Sequence, residues 1–369
     1  MPAQVSALTI DEVVARRLVR SRYQPIVNLS TRTVVGVEAL ARGPAGTELE
    51  FPDRLFAAAR SAGRLGELDM LCFERALEGA IAAPVVLPLL FANGEPEVMG
   101  QPLSPRLLEL LASGPAFRSI LEYTERALPA VPGSLLRLTA TIQVNGNGIA
   151  LDDVGVDPMS LAFLPILEPE VIKLDMSLIR DPDAEHTRAV TAAVRAEARR
   201  TGAIVIAEGI ETEEDLHTAG RLGARWGQGW LFGRPGQIGR DFDAEAARAL
   251  RKPRPGFHRP AGTPFEIAAR HRSPAAATED AVAGALDRLR DIAGAAEIAV
   301  SVASQPDVAR PVRATSTIVL DEGLPGEYAI AVVGPGYGHA VCVRAAEMVV
   351  VDDLPTAAAV SRALLHRSA

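Results

Sequence analysis

Acidic residues recur at one kind of place along this sequence, at or just after a short apolar run. Glu38 lies within the run at 34–41, and Asn93 follows Leu89-Leu90-Phe91-Ala92. Glu122 and Glu125 follow Ser119-Ile120-Leu121, and Asp152-Asp153 closes Ile149-Ala150-Leu151. Lys173 and Asp175 close Val171-Ile172, Glu208 closes residues 203–207, and Gln228 opens the next apolar run. If these runs are strands of one barrel, their C-terminal ends share a mouth and residues far apart in sequence meet there. Carboxylates crowded into one concavity repel unless cations stand between them. A set of carboxylates with one amide suits a hard ion such as Mg²⁺ or Mn²⁺, and the absence of Cys and His from it argues against zinc. Each residue also has a plainer use. Acids after strands cap helices, Lys173 reads as a surface lysine, and Asn93 reads as a turn residue. The recurrence on successive runs is what favours a metal site.

The elements that must position these residues alternate through the first 250 or so positions. Apolar runs at 34–41, 85–92, 117–123, 148–151, 171–174, 204–207 and 229–232 predict strands. Amphipathic stretches at 55–80, 183–201 and 213–222 predict helices between them. Several runs are continuous Val, Ile and Leu, as expected of a parallel sheet covered on both faces. The number and size of the units fit an α/β fold of the TIM-like (β/α)8 barrel type, with a doubly wound open sheet as the competitor. Residues 251–263 are rich in Pro and Arg and lack apolar periodicity, which predicts a solvated linker. A small α/β accessory domain is expected over 264–369. It carries a helical stretch at 278–293, apolar runs at 298–302, 328–333 and 348–351, and a closing helix at 356–366.

The bulk properties narrow the classes of partner. The net charge is −8, from 46 acidic against 38 basic residues, which disfavours binding to a long nucleic-acid backbone. A nucleotide is still compatible, because cations can bridge it to carboxylates. The two cysteines, Cys72 and Cys342, form no disulfide framework and no zinc spacing, which fits a reducing compartment. Charged residues interrupt positions 1–20, and no apolar stretch is long enough to span a membrane. A cytoplasmic protein without a membrane span is expected.

Tyr23-Gln24-Pro25-Ile26-Val27 followed by Glu38-Ala39-Leu40-Ala41-Arg42 resembles the opening of the EAL family of cyclic di-GMP phosphodiesterases. Asn93, Glu122-Tyr123-Thr124-Glu125-Arg126, Leu151-Asp152-Asp153 and Ile172-Lys173-Leu174-Asp175 agree in order and spacing. Ala207-Glu208-Gly209-Ile210-Glu211-Thr212 and Gln228-Gly229-Trp230-Leu231-Phe232-Gly233-Arg234-Pro235 complete the match over about residues 20–236. The resemblance implies a TIM-like barrel that hydrolyses cyclic di-GMP to linear pGpG with two divalent cations, Mg²⁺ or Mn²⁺. It implies that Glu38, Asn93, Glu122 and Asp152 hold one metal and that Asp152, Asp153 and Glu208 hold the other, with Asp152 bridging. Lys173 would orient the attacking water, and Glu208 would also be a candidate general base. Glu125 would brace the loop after Asp152-Asp153, with Glu211 and Gln228 supporting the ligands. Gln24, Arg42 and Asp175 would face the substrate, with Arg42 near a phosphate.

One departure from the family pattern stands out. Where relatives have an aromatic residue and a Gly-x-Gly turn, this chain reads Val154-Gly155-Val156-Asp157-Pro158-Met159-Ser160. That loop is associated in the family with metal loading and dimer-coupled control, so rate or regulation could be altered while the ligands persist. A homodimer through the barrel is the corresponding expectation. A non-hydrolysing cyclic di-GMP receptor is the alternative function; an unrelated metal-dependent barrel enzyme would leave Tyr23-Gln24-Pro25 and Gln228-Gly229 unexplained. After the linker, Thr263-Pro264-Phe265-Glu266 and the elements beyond it weakly resemble a DICT-type sensory domain with a ligand of its own. A plain accessory α/β domain accounts for them as well.

Overall fold

The computed structural model describes residues 8–98, 100–124, 131–157, 159–309, 312–320 and 323–367. Eight strands follow one another around a closed barrel. They are β1 Arg20–Asn28, β2 Val34–Arg42, β3 Leu89–Asn93, β4 Arg118–Thr124, β5 Gly148–Val154, β6 Val171–Leu174, β7 Ile204–Ala207 and β8 Trp226–Gln228. The expected TIM-like barrel is therefore present, and the open sheet is not. β2–β3, β3–β4, β5–β6 and β7–β8 are parallel pairs, but β1 runs antiparallel to both β2 and β8.

The sequence reading places no strand at 20–28. Arg20, Arg22 and Gln24 interrupt its apolar pattern and Pro25 removes a donor. Two other expectations change. The predicted strand at 229–232 is a turn, so Gln228 ends β8 instead of opening an apolar run. The long helix expected over 55–80 is two helices, Pro52–Ser61 and Leu65–Ile81.

Contacts divide the chain into two compact units, residues 1–123 with 206–249 and residues 124–205 with 250–369. In the first, Val37, Ala39 and Leu90 of the strands pack on Ala76, Leu77 and Ala80 of the helix Leu65–Ile81. A second cluster joins Val13 and Val14 of the helix Ile10–Ala15 to Leu55, Leu68 and Leu71. These apolar faces recur at helical spacing, so burial of one stripe per helix is what the pattern demands.

The second unit contains β5, β6 and a six-stranded sheet. Its strands are β9 Ala275–Ala276, β10 Val300–Ala303, β11 Ser316–Val319, β12 Glu327–Gly334, β13 Tyr337–Arg344 and β14 Glu347–Val351. Their order is β11-β10-β12-β13-β14-β9, antiparallel except for β10–β11. The helix Glu279–Ala295 covers it through Ala285, Leu289 and Ala293. The helix Leu354–Leu365 is buried along nearly its whole length and touches β12, β13 and the helix Met159–Leu167. A helix apolar all round is a core helix, which is how this one packs.

The basic segment expected to be a solvated linker is instead held down side chain by side chain. Arg251 pairs with the fully buried Glu170 at 2.9 Å, and Arg254 pairs with Glu168 at 2.6 Å. Phe257 lies between the guanidinium groups of Arg254 and Arg362, with ring-centroid distances of 3.7 and 4.2 Å. His258 is buried, with Nε2 2.6 Å from the Leu167 carbonyl and Nδ1 3.0 Å from the Gln143 side chain. Burial lowers the imidazole pKa to about 3 against the Leu167 carbonyl, which raises it, and the nearby Arg362 and Arg254 act in the same direction as burial. Arg362 donates to the carbonyls of Pro165 and Ile166 at 3.3 and 3.1 Å, which closes the carbonyl end of the helix Met159–Leu167. The positive charges are used against buried carboxylates and carbonyls, so composition alone misreads the segment.

Candidate metal and substrate site

Glu38 sits in the middle of β2, 5% exposed, opposite Gln24 in the β1–β2 register. Both of its oxygens are engaged. Oε1 accepts from Asn93 Nδ2 at 2.8 Å, and Oε2 accepts from Gln228 Nε2 at 2.6 Å. Gln228 Nε2 also reaches Gln24 Oε1 at 3.1 Å, and Gln24 Nε2 donates to the Gly233 carbonyl at 3.1 Å. Three amide side chains, from β1, β3 and β8, are thereby arranged around one carboxylate. Asn93 bonds Glu38 through its nitrogen, which leaves its oxygen, the atom a hard cation prefers, turned elsewhere. Asn93 pairs in register with Glu122, whose carboxylate is wholly buried on β4.

Gln228 Oε1 is buried and meets no hydrogen-bond donor among the described residues. A buried acceptor without a donor is costly and points to a missing partner in the site. The chain after it is pinned by Gly229. A Cβ there would stand 2.0 Å from the Ile210 carbonyl oxygen, so only glycine permits this approach. Ile210 N donates to the Gln228 carbonyl, and Leu231 N donates to the Ile210 carbonyl. The loops that follow β7 and β8 are joined in this way.

Asp152 and Asp153 pose a geometric problem, because neighbours on a regular strand point to opposite faces. The β5–β6 register shifts between Leu151 and Val154, and Asp153 takes a left-handed backbone with φ 57°. Such a bulge re-aims side chains, and Asp tolerates this conformation better than most residues. As a result Asp152, Asp153 and Glu208 each offer a carboxylate oxygen within 4.8 Å of the others. Lys173 on β6 is wholly buried, with Nζ 3.1 Å from Asp152 Oδ1.

Carboxylate oxygens this close can share one divalent cation at its usual bond lengths. The donor set therefore fits a hard divalent ion. Asp152, Asp153 and Glu208, with Lys173 beside them, are the expected residues for this role.

The other expected residues are placed as follows. Asp175 caps the helix Met176–Arg180 by accepting from Ser177 N at 2.9 Å, the plain use foreseen for acids after strands. Glu211 is exposed, and its backbone N–H donates to Asp215 Oδ2 at 2.9 Å. Arg42, partly exposed at the end of β2, donates to its neighbour's carbonyl, Ala41 O, and lies 5.9 Å from the Phe51 ring centre. Burial and then the adjacent Arg22 lower its pKa, which marks local positive charge. Glu125 lies outside the described residues. In the unusual loop, Gly155 has φ 115° and a Cβ would press on Leu178, while Val156 is exposed; Pro158 lies outside the described residues.

One feature escaped the sequence reading. Trp230, two residues beyond Gln228, is 53% exposed, with the Arg234 guanidinium stacked 3.9 Å from its ring centre. An exposed indole is a flat apolar surface of the kind on which bases stack. Its signal is an aromatic within the run 229–232, which by its apolar content predicts a strand.

Among the described residues no helix is long and apolar enough to cross a membrane. A sequence model of the EAL domain matches residues 9–235. A probable cyclic di-GMP phosphodiesterase of Escherichia coli, PdeB, is 30% identical over 230 residues, covering 60% of this chain and 44% of that protein. The Pseudomonas aeruginosa cyclic di-GMP phosphodiesterase NbdA is 30% identical over 224 residues, covering 58% of this chain and 28% of that protein. The chain thus spans less than half the length of these two relatives. Among solved structures, Klebsiella pneumoniae BlrP1 in a calcium and cyclic di-GMP complex matches with TM-score 0.53 and 29% identity, covering 61% of this chain and 57% of that one. The PaMucR phosphodiesterase in complex with c-di-GMP matches with TM-score 0.54 and 24% identity, covering 62% and 96%, a likeness of fold.

Proposed function

The chain belongs to the EAL domain family, and from that premise we propose that it hydrolyses cyclic di-GMP to linear pGpG in bacterial second-messenger signalling. The observation that carries this reading is the cluster of Asp152, Asp153 and Glu208 with the buried Lys173 beside it. Solved relatives with calcium or manganese and cyclic di-GMP support a need for divalent metal. We assign two cations, Mg²⁺ or Mn²⁺, one to Glu38, Asn93, Glu122 and Asp152 and one to Asp152, Asp153 and Glu208. Such ions, when bound, supply Lewis acidity and make water a stronger acid.

The protein's own residues do the rest. Lys173 Nζ, already 3.1 Å from Asp152, orients the attacking water and opposes negative charge growing on the phosphate. A Glu208 carboxylate oxygen accepts the proton that this water releases. Gln228 and Gln24 hold Glu38 in one orientation through the amide chain described above, and Glu211 supports the loop after β7. Gln24 and Asp175 line the substrate side, Arg42 binds a phosphate, and Glu125 braces the loop after Asp153. The EAL barrel pairs with a second copy as a homodimer, and the C-terminal sheet domain serves as a DICT-like sensory element.

The test is direct. Purified protein is incubated with cyclic di-GMP and Mg²⁺ or Mn²⁺, and the linear product is followed by chromatography. Turnover that disappears in Glu38→Ala is expected. Tight binding without turnover under either metal would replace the enzyme by a receptor.

A further inference from the structure

In the second unit a crevice of about 650 Å³ opens between the helix Pro132–Val144, the segment at 259–263 and the end of the helix Leu354–Leu365. Its walls present Arg137, Arg259, His366 and Arg367, together with Thr141 and the single acid Glu266. In a protein of net charge −8 this is a local excess of positive charge.

Glu266 does not cancel it. That carboxylate accepts from Thr263 N at 3.1 Å as a helix cap and stands 3.5 Å from Arg344. Arg137 donates to the His366 carbonyl and to Ser134 Oγ, each at 3.0 Å, which fixes where its guanidinium lies on the wall. The side chains of Arg259 and Arg367 make no ion pair among the described residues. Burial lowers the His366 pKa, and the approach of Arg137 and Arg259 lowers it further.

We propose that this crevice is a binding site for a small polyanion carrying phosphate or carboxylate groups. Its volume is that of a small-molecule site. Arginine forks match the geometry of both anion types, and hydrogen bonds between charged groups are the strong ones. The two hydroxyls on the walls are already committed, Thr141 to the Arg137 carbonyl at 3.1 Å and Thr263 to Glu327 at 2.8 Å, so the arginines carry the recognition. The site lies outside the proposed catalytic cluster and does not depend on the phosphodiesterase reading.

The test is isothermal titration of the full, metal-depleted chain with inorganic pyrophosphate and, separately, with citrate. Saturable one-to-one binding is expected in at least one arm, and the stronger arm tells phosphate from carboxylate recognition. The double variant Arg259→Ala/Arg367→Ala, altered at two exposed positions, should bind about tenfold more weakly or worse. Arg288→Ala, altered at an exposed position of the helix Glu279–Ala295 outside the crevice, should bind as the parent does. No saturable binding in either arm, equal binding by the double variant, or an equal loss in Arg288→Ala would overturn the assignment.

Discussion

Lys173 Nζ lies 3.1 Å from Asp152 Oδ1 across the β5–β6 pair, and the lysine is wholly buried. A buried ammonium this close to an acid of the candidate carboxylate cluster serves charge placement more than stability, because desolvating both groups cancels much of their attraction. Replacing Lys173 with Met keeps the apolar stem and removes the charge. Steady-state kinetics should show kcat down by about two to three orders of magnitude with KM little changed. An unchanged kcat would remove Lys173 from the reaction.

The left-handed Asp153 makes a cleaner probe of the proposed metal cluster than an alanine scan. Asn tolerates the same backbone, so Asp153→Asn should fold normally while losing one charge. Excess Mn²⁺ should raise the melting temperature of the parent, since a ligand at a hundredfold over its Kd stabilises by about 2.7 kcal/mol. That shift should shrink or vanish in Asp153→Asn. Equal shifts in both proteins would place the ion elsewhere.

Trp230 carries a prediction about binding alone. If its exposed face stacks on a base, Trp230→Ala should raise KM by about tenfold, within the range for losing one stacking partner, and leave kcat nearly unchanged. A fall in kcat at constant KM would speak against stacking.

Acid should loosen the second unit through His258. Its folded pKa is depressed to about 3 from an ordinary 6.5, so the folded state binds fewer protons than the unfolded one between those values. Stability from this group is present above pH 6.5 and falls as pH drops towards 3, by roughly 1.4 kcal/mol per unit. His258→Gln should be less stable than the parent near neutrality, yet lose less between pH 6.5 and 4.5. Urea denaturation at the two pH values checks this, and parallel losses would exclude His258 as the source.

Much of the site was legible along the chain. Glu38, Asn93, Glu122, Asp152, Lys173 and Glu208 all fall on or directly after strands, as the apolar runs indicated. Burial on both faces makes barrel strands continuous in Val, Ile and Leu, and that signal survives without any partner. β1 was hidden because its residues alternate with arginines, and Trp230 was hidden because an apolar run of four residues can be a turn as easily as a strand.

Sequence by itself settled which residue types were available and that their elements alternate as a barrel requires, because both follow from local chemistry and periodicity. It did not decide where neighbouring side chains point. Asp152 and Asp153 share one cluster only because a register shift and a left-handed backbone turn them together. Likewise Arg251, Arg254 and His258 read as a solvated linker until Glu168, Glu170, Gln143 and Leu167, distant in sequence, appear beside them. Whether a charge is solvated or buried depends on what the folded chain places within hydrogen-bond reach, and that is a property of tertiary contact, not of composition.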